Sequence, residues 1–180
     1  MEIKVYQKEW GCIPEIIEKG DWIDLTLAED VKLKGPYSKV LRRKKKDGEV
    51  IERYRDVVFD STIASLGICV EVPKGYECIV VPRSSTFKKY GIIQSNSVGI
   101  IDQTYCSDED EWKMPMTALR FTTIPKGTRI AQFRVQLSQK ATMWQKIKWL
   151  FTSEIKIRQV ASLDNKKRGG FGEGTKDFKG

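Results

Sequence analysis

Histidine is missing altogether from the 180 residues. Its absence removes imidazole acid–base chemistry and the commonest transition-metal ligand, so any general base has to be a carboxylate, a lysine, a tyrosine or a cysteine. Cysteine is scarce: Cys12, Cys69, Cys78 and Cys106 are scattered, with no CxxC pair. They read as buried or incidental thiols in a reducing compartment rather than as a zinc site or a disulfide framework. No apolar run is long enough to cross a bilayer, and the opening MEIKVYQKEW lacks the apolar core of a signal peptide. A soluble, cytoplasmic protein is expected. What the chain has in excess is positive charge, 32 Lys and Arg against 24 Asp and Glu, a formal +8 that favours an anionic partner without choosing among nucleotide, nucleic acid and membrane surface.

The length suits one domain with a sizeable core. Short alternating segments dominate: Met1 to Tyr6, DWIDLTLAEDVKL from Asp21, Val57 to Val81 divided by Gly67 and the Pro73–Gly75 turn, Trp112 to Phe121, Ile130 to Leu137, and EIKIRQVASL from Glu154. This period-2 pattern predicts an all-β fold. Pro115 argues that its strand lies at an edge or a bulge. Only ATMWQKIKWLF (141–151) reads as a helix, with Met143, Trp144, Ile147, Leu150 and Phe151 on one face. Packing of that face against the domain is the default reading, and a partner or membrane-surface helix the other. Residues 39–55, KVLRRKKKDGEVIERYR, carry an Asp47–Gly48 turn between two strand-like arms, a strong hairpin signal. The cationic run Arg42, Arg43, Lys44, Lys45 and Lys46 would form its tip, either merely solvated or an electrostatic contact to nucleic acid or a partner protein.

Three stretches carry chemistry. GIIQSNSVGIIDQTY (91–105) reads as two short strands around a tight connection. Asp102 and Tyr105 are an odd number of residues apart and would face opposite ways unless Gln103 and Thr104 turn the backbone. An Asp and a Tyr there are commonly a turn former and a packing residue; held over a groove, they would instead hold a flat ring and activate a water. Arg83, Ser84 and Ser85 follow the strand Ile79 to Val81, offering a guanidinium, two hydroxyls and backbone amides suited to a phosphate. Asp24, a carboxylate between Ile23 and Leu25, needs a cationic or hydrogen-bonding partner if buried. The acidic run Asp108 to Glu111 reads as an exposed turn. The tail NKKRGGFGEGTKDFKG is glycine-rich, basic and expected to be mobile without a ligand, with Phe171 available to stack on a base.

In this order the pieces resemble the homotrimeric dUTPase family. DWIDL (21–25), PRSS (82–85), NSVGIIDQTY (96–105), GTRIAQ (127–132) and RGGFGEG (168–174) are similar to its five motifs in sequence. One alone is weak; five in order are specific. The resemblance implies an all-β, β-jelly-roll (β-clip) subunit spanning 1–163, with insertions at about 39–55 and 140–152. A flexible arm at 164–180 would close over a site on a neighbour in a trimer. It also implies hydrolysis of dUTP to dUMP and pyrophosphate with magnesium (Mg2+). Asp102 would orient the attacking water, Tyr105 would pack on the deoxyribose, and the segment Asn96 to Ile101, including Gly99, would read the uracil edge. Ser84, Ser85 and Gln132 would hold phosphates, Arg83 and Asp24 would support the site, and Phe171 would cap the base. The family's Arg-Gly-Glu after Tyr105 is replaced by Cys106, Ser107 and a longer acidic loop. Its tail arginine aligns with Lys166, with Arg168 as a substitute, and Glu173 and Gly174 stand where a hydroxyl pair is usual. The dCTP deaminase branch shares the fold and an RSS segment, but its proline-glycine-tryptophan stretch and glutamate are replaced here by GIIDQTY. A binding or regulatory protein on the same scaffold, acting through the hairpin or the helix, is the remaining alternative.

Overall fold

The computed structural model of the chain describes residues 1–16, 20–152 and 154–170, with the backbone alone for 51 and 52. Among the described residues the fold is all-β, with fifteen strands and two short helices. The largest sheet runs in the order β11 (Gly99–Asp102), β9 (Tyr76–Pro82), β14 (Arg129–Leu137), β3 (Ile23–Thr26) and β2 (Glu15–Ile16), each strand antiparallel to its neighbours. Alternation makes this sheet one-sided. Tyr76, Cys78 and Val80 of β9 and Ile130, Phe133 and Val135 of β14 are all buried. They meet side chains from two three-stranded sheets. One joins β1 (Glu2–Gln7) to β8 (Ile68–Glu71) and, in parallel, to β15 (Lys156–Val160). The other joins β10 (Ile92–Gln94), β12 (Lys113–Ala118) and β7 (Ser61–Ser65). Trp112 sits edge-on to Phe133, 5.1 Å between ring centres, where these layers meet. Cys69 and Cys78 are buried free thiols; burial pushes Cys69 up to about 12 and Cys78 higher still.

Several expectations are corrected. DWIDLTLAEDVKL is two strands, β3 and β4 (Val31–Leu33), the latter paired with β13 (Thr122–Ile124). Pro115 lies in the middle strand of its sheet, not at an edge. Its carbonyl accepts from Ser95 N at 3.0 Å, so the donor that proline lacks would point to that same side, just past the last β10 pair, Gln94 with Met116. A second helix, α1 (Thr86–Tyr90), follows the PRSS turn. The predicted helix is α2 (Met143–Leu150), started by a capping box between Thr142 and Gln145. Its apolar face points outward: Met143 is 69% exposed, Trp144 80%, Leu150 80% and Phe151 83%. The opposite face docks instead, through Gln145 to the Lys74 carbonyl at 2.7 Å and Trp149 on the Tyr76 ring at 5.6 Å.

The basic hairpin exists and is longer than its sequence signal. β5 (Tyr37–Lys44) and β6 (Val50–Val58) form a two-stranded sheet that joins no other among the described residues. Gly48 takes a left-handed φ of 90° in its turn, as the Asp-Gly signal requires.

Candidate active site

Asp102 ends β11, opposite Glu77 of β9. The chain then turns, as Gln103 and Thr104 permit: Tyr105 N donates to the Asp102 carbonyl at 3.1 Å, bringing carboxylate and ring to one region. Asp102 Oδ1 accepts from the amide of Thr104 at 2.8 Å and from its hydroxyl at 2.6 Å. Its Oδ2 lies 2.6 Å from an Arg168 guanidinium nitrogen. Burial works against ionisation of this carboxyl, but the Thr104 hydroxyl and amide and the Arg168 charge outweigh it and hold the group below its ordinary range. Gln103 anchors the turn by accepting from Gly75 N at 2.7 Å, and Tyr105 donates its hydroxyl to the Glu111 carbonyl at 2.9 Å. At the other end of β11, Gly99 faces Val80, and the Asn96 side chain is held by Gln94 Nε2 at 2.9 Å. Ser97 adopts a left-handed φ of 62° in that connection. Ile101 is half-buried against the core.

The loop after Tyr105 differs from the exposed turn its charges suggest. Ser107 and Asp110 are fully buried. The Asp110 carboxylate accepts from the amides of Ser107 at 3.1 Å, Arg168 at 3.1 Å and Gly169 at 2.9 Å. Asp108 accepts from Leu163 N and Ser162 Oγ, both at 2.7 Å, and Asn165 donates to the Cys106 carbonyl at 3.2 Å. The beginning of the arm, as far as residue 170, is therefore tied to the body of its own chain. Gly169 takes a φ of 79°, and a Cβ on Gly170 would come within 2.9 Å of the Tyr105 ring. Lys166 is exposed, and Phe171, Glu173 and Gly174 lie outside the described residues.

A second group collects where β9 meets α1. Asp24, 2% exposed, pairs through Oδ1 with Arg83 Nε at 2.9 Å and through Oδ2 with Arg129 at 3.4 Å. Gln132 is the cross-strand neighbour of both Asp24 and Val81. Ser84 and Ser85 are exposed, and the Ser85 hydroxyl makes no capping bond to α1. Thr86 pins this turn by donating from its buried hydroxyl to the Ile130 carbonyl at 2.7 Å.

These two groups lie at opposite ends of β9, since Asp102 faces Glu77 while Arg83 follows Pro82. Five residues of strand lie between Glu77 and Arg83, so the two ends are roughly 20 Å apart. The sequence model of the dUTPase family matches residues 54–174, a span holding Asp102, Tyr105, the PRSS turn and Gln132. The chain belongs to the dUTPase family. It is 39% identical over 178 residues to the SPbeta prophage-derived deoxyuridine 5'-triphosphate nucleotidohydrolase of Bacillus subtilis, covering 98% of this chain and 100% of that one. It is 33% identical over 117 residues to the deoxyuridine 5'-triphosphate nucleotidohydrolase of Finegoldia magna, covering 63% of this chain and 70% of that one. Among solved structures, the dUTPase of Streptococcus mutans superposes with a TM-score of 0.59 at 16% identity, covering 77% of this chain and 98% of that one. A dUTPase of S. aureus phage phi11, whose structure reveals the coordination of a structural Mg(II) ion, gives 0.56 at 14% identity, covering 78% and 94%. The β-jelly-roll of these dUTPases is the fold of this chain.

Sequence reasoning gave no part in the candidate site to Arg129, which meets Asp24, to Thr104, which holds Asp102, or to Asp110, which holds the arm. Arg129 stood inside the GTRIAQ motif without a role; only strand pairing brings it to Asp24. Asp110 was hidden in a run of acids whose members the sequence does not distinguish.

Proposed function

We propose that the chain hydrolyses dUTP to dUMP and pyrophosphate at sites completed between the subunits of a homotrimer. The observation that carries this reading is the fixed, ionised carboxylate of Asp102, held through one oxygen by Thr104, beside Tyr105 and the hairpin that begins at Asn96. Attack by water on a triphosphate is opposed by the phosphate oxygens, so catalysis needs charge neutralisation and an in-line nucleophile. Asp102 supplies the second of these. It accepts a hydrogen bond from the water, orients it toward the α-phosphorus and receives its proton as the bond forms. Tyr105 packs on the deoxyribose, and backbone groups between Asn96 and Ile101 read the uracil edge. Ser84, Ser85 and Gln132 hold phosphates, and the Asp24 ion pair keeps Arg83 aimed at them. Arg168, resting on Asp102, moves onto the phosphate chain when the nucleotide enters; Phe171 caps the base.

The separation of about 20 Å between Asp102 and the phosphate-holding turn supports the assembly. No single α-phosphorus can lie within hydrogen-bond reach of both, so the turn serving one subunit's Asp102 comes from another copy, in closed symmetry.

Magnesium fits the donors present. Among the described residues no three carboxylates or thiolates cluster, but this ion keeps most of its waters and needs only one or two carboxylates besides phosphates. Asp24, whose buried Oδ2 makes no hydrogen bond among the described residues and meets only Arg129 at 3.4 Å, is the carboxylate that would be turned to a magnesium-bound water. When bound, the ion neutralises triphosphate charge.

Pyrophosphate release from dUTP, measured on the wild type and on Asp102→Asn, tests the proposal. A fall in kcat of about 100- to 10,000-fold with nucleotide binding retained is expected. Undiminished turnover by the variant, or ammonia released from dCTP by the wild type, refutes it.

A further inference from the structure

Among the described residues the hairpin of β5 and β6 is isolated from every other sheet and almost wholly exposed, so its side chains serve neither the core nor the site. Pairing sorts its charges by face. Lys39 stands opposite Asp56 and Leu41 opposite Tyr54, giving one mixed face. The other face carries Val40 opposite Arg55 and Arg42 opposite Arg53, with Lys44 continuing the row. No acidic residue lies on it, and among the described residues none of Arg42, Lys44, Arg53 and Arg55 forms an ion pair. The tip is partly neutralised, with Lys45 paired to Glu49 at 2.6 Å and Asp47 in the turn. The unbalanced charge therefore sits along the ribbon's flank.

Directly opposed like charges destabilise a strand pair. Arg42 stands across from Arg53 with no counter-ion among the described residues, and an anion lying against the pair would relieve that repulsion. The spacing narrows the choice. Successive same-face cations on a strand are about 6.7 Å apart, of the order of the through-space spacing of neighbouring phosphates on one nucleic-acid strand. A two-stranded ribbon also fits the major groove of B-DNA, about 12 Å wide.

We propose that the Arg42, Lys44, Arg53 and Arg55 face of the β5–β6 ribbon binds the phosphate backbone of double-stranded DNA. The inference is independent of the nucleotide chemistry, since none of these four residues belongs to that site.

Fluorescence anisotropy of a labelled 20-base-pair duplex with the full-length protein tests it. Four neutralised phosphates predict that affinity falls roughly 150-fold between about 50 and about 200 mM salt. The double charge reversal Arg42→Glu, Arg53→Glu should abolish binding at the lower salt while dUTP turnover stays within about twofold of wild type. The proposal is overturned if the wild type binds no duplex at low salt, or if the reversed variant binds with the same affinity and slope. It is equally overturned if single strands or phosphatidylserine vesicles are preferred to the duplex.

Discussion

Replacing Asp110 by asparagine isolates the anchoring of the arm. Its carboxylate accepts from Ser107 N, Arg168 N and Gly169 N, and the last two join arm to body. Asparagine keeps one acceptor oxygen and turns an NH2 group toward amides that are themselves donors. A hydrogen bond to a charged group contributes about 1.5–3 kcal/mol, and water recovers part of it for amides that open outward. A net loss of about 1–3 kcal/mol in arm closure is expected, equivalent to roughly five- to 150-fold in the closed-to-open ratio. Hydrogen exchange at pH 7 should register this as faster exchange at Arg168 and Gly169, with β9 and β14 unchanged. Since Arg168 reaches Asp102 from this anchor, kcat/KM for dUTP should fall about tenfold, and by much less in an Arg168→Ala background. Burial opposes ionisation of Asp110, but the Arg168, Gly169 and Ser107 amides outweigh it and hold the carboxyl below its usual range. The stability it contributes is therefore present above the unfolded value of about 3.9 and is lost as pH falls through the lower folded value. Unchanged exchange at Arg168 and Gly169 in Asp110→Asn would refute this account.

Two further outcomes follow from the site. Arg168→Ala removes a cation that favours ionised Asp102, so the acid limb of the kcat/KM profile should move to higher pH; an unmoved limb would show that Thr104 alone sets it. Asp24→Ala leaves Arg83 and Arg129 without their shared buried carboxylate. Because both arginines are partly solvated, a loss of about 1–3 kcal/mol is expected, read as a fall of several degrees in Tm with a raised KM for dUTP.

Local chemistry made much of this molecule legible. The Asp47–Gly48 hairpin, the turn after Asp102 and the need of Asp24 for a cation all follow from side-chain period, glycine freedom and the cost of a bare buried charge. What escaped depends on neighbours distant in sequence. Helical spacing grouped Met143, Trp144, Ile147, Leu150 and Phe151 on one face of α2, yet it cannot say which face turns inward; the contacts of Gln145 and Trp149 with Lys74 and Tyr76 decide that. The five residues of α1 are too few for any periodic signal. In the run Asp108 to Glu111, Asp110 is buried on the arm's amides, Asp108 is half-buried on Leu163 N and Ser162 Oγ, and Glu109 is exposed, a distinction made only by the returning chain.

The placing of Asp102 and Arg83 at opposite ends of β9 has a genetic consequence. Two alleles, each ruined at one end, should rescue one another when co-expressed. In a ring where every site borrows from its neighbour, random mixing of Asp102→Asn and Arg83→Ala chains leaves about a quarter of the sites with both ends intact. Each mixed ring carries a single working site assembled from two dead parents.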